Sequence, residues 1–190
     1  MSSIKIELIE VAGFSSVLKA LRLPFGKDVR STIRSTMEVS ARFNLASREF
    51  TTITKVVPDH KDMELIETLV KNGDEHAKVL RGMIVYLEIT APIWFYRELE
   101  TYRVGRERLS SESTMHIECK GLSGEELERT KDEIPMGHIQ KTIDMYSYQT
   151  LRRIYFQRRN HRLPMWREFC SFIETLPFAK EFILCQREKK

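Results

Sequence analysis

Between Ile84 and Thr90 the chain reads IVYLEIT, with bulky apolar side chains spaced about a carboxylate at the two-residue period of a half-buried strand. Pro92 follows closely, and proline suits a first helical turn because its missing N–H would have had no intrahelical acceptor. The pattern predicts a strand feeding a helix over Ile93 to Tyr102, with Arg97, Glu98 and Glu100 set among Trp94, Phe95, Tyr96 and Leu99. Next comes Arg103 to Thr114, expected as a polar loop, with three arginines, two glutamates and four hydroxyl residues. An apolar strand and helix that deliver such a loop to one place make a candidate anionic-ligand site, although a solvated surface loop has the same composition.

The same reading along the chain gives an amphipathic strand at Ile4 to Val11, where Ile4, Ile6 and Leu8 alternate with Lys5 and Glu7. Gly13 breaks it, and Ser15 or Ser16 is the expected cap of a helix running to Leu23. Pro24 and Gly26 stop that helix. Residues 27–43 fit a helix, while FTTITKVV at Phe50 to Val57 is rich in β-branched residues and fits a strand. In Asp62 to Asn72 the residues Met63, Ile66, Leu69 and Val70 share one helical face, and Gly73 supplies the stop. Ser123 to Glu133 reads as a charged surface helix with Ser123 and Glu126 at capping-box spacing. A long helix is expected over about Ile139 to Asn160. A last one runs from Pro164 to Leu176, with Trp166, Phe169, Cys170 and Ile173 at core spacing, before Pro177 and a basic tail. No internal repeat interrupts this order, which predicts a single α/β (α+β) domain over residues 1–190, a mixed sheet packed by long helices.

With 190 residues, 42% hydrophobic and 31% charged, the chain can bury one sizeable core. No stretch reaches the roughly 18 apolar residues of a membrane span. Met1 to Gly13 lacks the continuous apolar core of a secretory signal. Three scattered cysteines, Cys119, Cys170 and Cys185, predict a reducing, cytoplasmic setting without a disulfide framework. A net charge of +4 permits a phosphate-bearing partner without requiring nucleic acid, since 27 acidic residues lie among 31 basic ones. Arg152, Arg153, Arg158, Arg159 and Arg162, with Tyr155 and Phe156, leave a nucleic-acid patch open as an alternative. The histidines His116, His138 and His161 show no metal-ligand spacing, and nothing assignable activates Cys119 as a nucleophile.

Four segments carry a family likeness: IELIEVAGF near the start, LIETLVKNG at Leu65 to Gly73, ITAPIWFYREL at Ile89 to Leu99, and LRRIYFQRRNHRLPMW at Leu151 to Trp166. In this order they resemble the flavin-dependent thymidylate synthases of the ThyX type, over about half the chain. Residues 27–57 have no counterpart and read as an insertion. The family signature is Arg-His-Arg, seven residues, then Ser; the aligned residues are Thr101-Tyr102-Arg103 and Ser111, so the last Arg and the Ser stand. The family's Gln in the preceding turn is Glu98, and its later Arg-Tyr is Ser113-Thr114.

The resemblance implies FAD as cofactor, with Tyr102 and Arg103 near the flavin. It implies a dUMP-like pyrimidine deoxynucleotide near Glu98, Ser111, Arg158 and Lys131, the last replacing a family arginine without its bidentate fork. NADPH and methylene-tetrahydrofolate would be co-substrates of a methyltransferase acting at uracil C5, and no side chain is assigned a covalent catalytic role. Such a site polarises uracil with fixed cations, so losing one signature Arg costs roughly 3 kcal/mol of transition-state stabilisation. Either catalysis is altered or the chain is an inactive nucleotide-binding relative. The resemblance also implies a homotetramer. Solution scattering at micromolar concentration should return a multiple of the 22.4 kDa chain, and a monomer would remove that expectation.

Overall fold

The computed structural model describes residues 4–25, 36–44, 49–57 and 59–186. In chain order its regular elements are β1 (Lys5–Ala12), α1 (Phe14–Arg22), β2 (Thr36–Asn44), β3 (Glu49–Val57), α2 (His60–Lys71), β4 (Ile84–Pro92), α3 (Ile93–Leu99), β5 (Arg106–Ser111), α4 (Gly124–Glu133), β6 (Ile139–Ser147), α5 (Tyr148–Arg158) and α6 (Pro164–Glu174). Four strands pair in the order β1-β4-β6-β5, every pair antiparallel, and β2 and β3 form a separate hairpin. The expected mixed α/β architecture is present, with strands near 4–11 and 84–90 side by side.

The central strand β4 has the alternation that its sequence predicts. Val85, Leu87, Ile89 and Ala91 are buried on one face, and Ile84, Tyr86, Glu88 and Thr90 are half-buried on the other. Helix α3 leaves β4 directly and brings Phe95 into the core, with its ring centroid 4.7 Å from Trp166 and 6.1 Å from Phe169 of α6. The predicted helix over Ile93 to Tyr102 ends as α-helix at Leu99 and tightens into a 3-10 turn over Glu100–Tyr102. Helix α2 buries Ile66 and Val70 as the spacing requires, capped by Asp59, whose carboxylate accepts from the Lys61 amide at 2.9 Å.

Several expectations are corrected. Residues 139–147 are strand β6 and not the start of a long helix. Ile139, Ile143 and Tyr146 fall at helical spacing, but the buried side of the strand carries Thr142, Asp144 and Tyr146. Polar residues inside and apolar ones outside invert the usual strand pattern. Arg103 to Thr114 is not all loop either, since Arg106–Ser111 forms β5 on the edge of the sheet, with a bulge between Arg108 and Ser110. The segment that fits a helix at 27–43 contains β2 from Thr36, and residues 27–35 lie outside the described residues.

Helix α1 is not capped by a serine. It starts at Phe14 after Gly13 at φ 97°, where an added Cβ would stand 1.8 Å from the Gly82 carbonyl, so close backbone approach fixes that glycine. Ser123 occupies the N-cap of α4 but makes no side-chain cap bond. Among the described residues no helix is long and apolar enough to cross a membrane.

Burial pushes the Tyr96 phenol up to about 12, raises Tyr146 and Tyr148 further, and pushes the Cys170 thiol up to about 12. The unfolded chain releases these protons at about pH 8.5–10, whereas the native chain retains them. Their stabilisation is therefore complete below that range and is lost as pH rises toward the native values. The midpoint of thermal unfolding should fall steadily above about pH 9, and a flat profile to pH 11 would contradict the burial of these groups.

Candidate functional site

Two neighbouring polar regions flank the residues aligned with the family signature. The first is a closed cluster where α3 meets α5 and α6. Tyr102 is buried, and its hydroxyl donates to Gln157 Oε1 at 2.9 Å while accepting from Arg158 Nε at 2.8 Å. The Arg158 guanidinium lies 4.6 Å from the Trp166 ring centroid, in cation–π range. Its Nη1 stands 3.0 Å from His161 Nε2 and 3.9 Å from Glu98 Oε2. Glu98 is held in turn by the Trp166 indole, which donates to it at 2.6 Å. Glu98, Tyr102 and Arg158 are thus brought together, and they satisfy one another.

The remaining predicted residues lie outside that cluster's bonds. Arg103 is 80% exposed and pairs with Glu100 at 3.6 Å. Ser111 is exposed at the end of β5, opposite Thr142. Lys131 is exposed on α4 and donates to Thr114. Thr101 turns its hydroxyl back onto the Glu98 carbonyl at 2.8 Å.

The two arginines of β5 behave differently from each other. Arg106 is 3% exposed and makes its closest ion pair with Asp144 at 2.7 Å, with Glu100 at 3.2 Å. Burial alone lowers the Arg106 pKa, but Tyr146 and Asp144 reverse this and hold the guanidinium charged. Arg108 is less enclosed. It lies 4.9 Å from the Tyr96 ring centroid and pairs with Glu100 at 3.4 Å and Asp144 at 3.5 Å.

The second region is an open cavity of about 400 Å³ against the far side of the same chain turn. Its lining includes Arg81, Val104, Gly105, Ser147, Gln149 and Arg153, with Asp74 and Thr150 completing it. Gly105 sits at φ 78°, and a Cβ there would come 2.4 Å from Thr150 Oγ1 and 2.6 Å from Ser147 Oγ, so only glycine lets this turn pack on the helix start. Ser147 caps α5 by accepting from the Thr150 amide at 3.2 Å, and Thr150 donates to the Val104 carbonyl at 2.6 Å. The capped start of α5 thereby forms part of the wall of a cavity that two guanidinium groups also line. Arg153 links both regions, since it donates to the Val104 carbonyl at 3.2 Å and lies 5.9 Å from the Tyr102 ring centroid.

Sequence reasoning missed Asp144, Tyr146, Arg81, Gln149 and Thr150. Only the alternation in Gln140, Thr142, Asp144 and Tyr146 could have signalled a strand with a polar inner side; Arg81 carries no local sign of its position. Among the described residues no group of His, Cys, Asp and Glu could hold a metal ion.

No family model matches this sequence, and no curated protein does. The fold does have solved counterparts. A flavin-dependent thymidylate synthase ThyX from Helicobacter pylori, complexed with FAD and dUMP, superposes with a TM-score of 0.65 at 14% identity, covering 96% of this chain and 100% of that one. A second structure of the Helicobacter pylori enzyme with the same ligands, at 14% identity, gives the same score over 96% of this chain and 98% of that one. A UMP/dUMP methylase, PolB, from Streptomyces cacaoi, bound with 5-Br dUMP, gives 0.60 at 14% identity over 95% of this chain and 92% of that one. The chain therefore has the ThyX-like fold.

Replacing Arg158 by Ala removes a charge-assisted bond to a buried hydroxyl and the cation stacked on Trp166, and leaves Glu98 without its nearest cation. The expected loss of stability is about 2–3 kcal/mol in chemical denaturation. An unchanged midpoint would mean that the cluster does not hold the helices together.

Proposed function

We propose that this protein binds a flavin, FAD, and a pyrimidine deoxynucleotide of the dUMP type. The observation that carries the reading is the cationic cavity beside Val104 and Gly105, directly after the residues aligned with the family signature, in a chain with the ThyX-like fold. A phosphate-bearing ligand fits its chemistry: the guanidinium groups favour an anion, and Asp74 can accept from a sugar hydroxyl.

When bound, a flavin supplies hydride chemistry at its ring, with NADPH and methylene-tetrahydrofolate as the proposed co-substrates of a uracil C5 methyltransferase. The chain's own residues would bind and orient. Arg81 and Arg153 border the phosphate region, exposed Arg103 and Ser111 remain available to ligand, and Lys131 stands by Thr114 as an outer cation. Tyr102 presents a flat ring but carries no charge at neutral pH.

The same geometry supports a second reading, nucleotide binding with little or no turnover. Thr101 brings no cation, and Arg158 is engaged by Tyr102, Trp166, His161 and Glu98. A nucleic-acid role is less well supported, because Tyr155 is buried and Arg152 spends Nη1 on the Ile183 and Cys185 carbonyls. The proposed assembly is a homotetramer, and the half-buried outer side of the sheet, with Tyr86, Ile143 and Met145, offers area for it.

The protein should take up FAD, seen as visible absorption that co-elutes with it, and should bind dUMP. With NADPH and methylene-tetrahydrofolate added, dTMP should form slowly or not at all. Rapid dTMP formation would overturn the reading of weak catalysis, and absence of both flavin and nucleotide binding would overturn the function itself.

A further inference from the structure

We infer that Arg81 and Arg153, at the cavity beside the start of α5, supply the positive charge that grips the ligand's phosphates. The inference rests on the nucleotide-binding reading for the identity of the full ligand, while the phosphate grip itself follows from the geometry.

Most of the neighbouring cations are already committed. Arg158 donates to Tyr102 and faces Trp166. Arg106 is buried against Asp144, and Arg108 is shared between Glu100 and Asp144. Arg152 is turned onto main-chain carbonyls near the C-terminus. Arg103 points to Glu100, and the position before Tyr102 is an uncharged threonine hydrogen-bonded to the backbone. A phosphate arriving at the signature would meet one exposed guanidinium, Arg103, with Glu100 3.6 Å away, and would have to break charge-assisted bonds to reach Arg106 or Arg158.

Arg81 and Arg153 are placed differently. Both are exposed and both line the cavity. Arg81 uses Nε on Gln149 Oε1 at 2.7 Å, which ties the group to the first turn of α5 through Nε and not through a terminal nitrogen. Arg153 uses one nitrogen on the Val104 carbonyl at 3.2 Å. The two come from different elements, Arg81 from the segment before β4 and Arg153 from the second turn of α5. Against them stands the single carboxylate of Asp74, so the lining is net positive. The cavity volume of about 400 Å³ falls in the range of small-ligand sites. Glycine at 105 lets the turn pack on Ser147 and Thr150, whose hydroxyls bond each other at 3.0 Å at the capped start of α5, so the cavity's groups free to meet an anion are the two guanidinium groups. A diphosphate or phosphomonoester is the chemical class that this arrangement takes.

Isothermal titration of the full chain with inorganic pyrophosphate, FAD, riboflavin and dUMP tests this, using Arg81→Ala, Arg153→Ala and the double variant, with circular dichroism to confirm folding. Since both side chains are exposed, the variants should fold. Each single change is expected to weaken FAD and pyrophosphate about tenfold, the double change more, with riboflavin affinity nearly unchanged. Arg81→Lys should recover part of the loss. If FAD binds and the double variant binds it as tightly as the parent, the inference is overturned while the proposed function stands. If neither FAD nor dUMP binds but pyrophosphate does, dependent on these arginines, the inference stands and the proposed function fails. Binding of none of the four ligands overturns both.

Discussion

The buried ion pair between Arg106 and Asp144 is the interaction on which this sheet depends. Their oxygen and nitrogen atoms lie 2.7 Å apart, at 3% and zero exposure, with Tyr146 donating to the same carboxylate oxygen at 3.1 Å. Desolvating such a pair is expensive, so it adds little as a substitute for apolar packing, but removing one partner typically costs about 3–5 kcal/mol because a buried charge is stranded. Its structural consequence is specific. It gives β5, a strand with almost no apolar residues, a defined register on β6, where Arg106 faces Tyr146 and Arg108 faces Asp144.

That constraint has an effect beyond the sheet. Once β5 is pinned, the turn over Val104 and Gly105 is pressed onto the start of α5, and Thr150 and Arg153 both bond the Val104 carbonyl. The tripeptide Thr101-Tyr102-Arg103 is then fixed between the turn and α3, with Tyr102 directed inward to Arg158. The polar cluster and the cavity are two faces of one short segment. The phenol of Tyr102 and the carboxylate of Glu98 are coherent in this setting, since together they occupy Arg158 and Trp166.

The arginine-rich character of the chain is largely consumed in such internal pairing. Phe156 lies between Arg152 and Arg159, at 4.8 Å and 5.3 Å from its ring centroid, so residues that look like a basic stripe in sequence are packed against an aromatic of their own helix. Counting basic residues overstates the free positive field. What remains available is set by which guanidinium groups are exposed and have no carboxylate within ion-pair distance.

The sequence by itself determined the strand at Ile84 to Pro92, the helix that leaves it, the amphipathic face of α2 and the aromatic face of α6. In each of these the apolar residues recur at the period of the element and face a single core. It also carried the expectation of a ThyX-like fold, which the solved counterparts share. The tertiary structure alone decided that 139–147 is a strand, that β5 exists, and which arginines are free. Those outcomes rest on polar groups burying one another across separations such as the 38 residues between Arg106 and Asp144. A long-range pair of this kind leaves no local periodicity, because each partner taken alone has the pattern of a solvated surface residue.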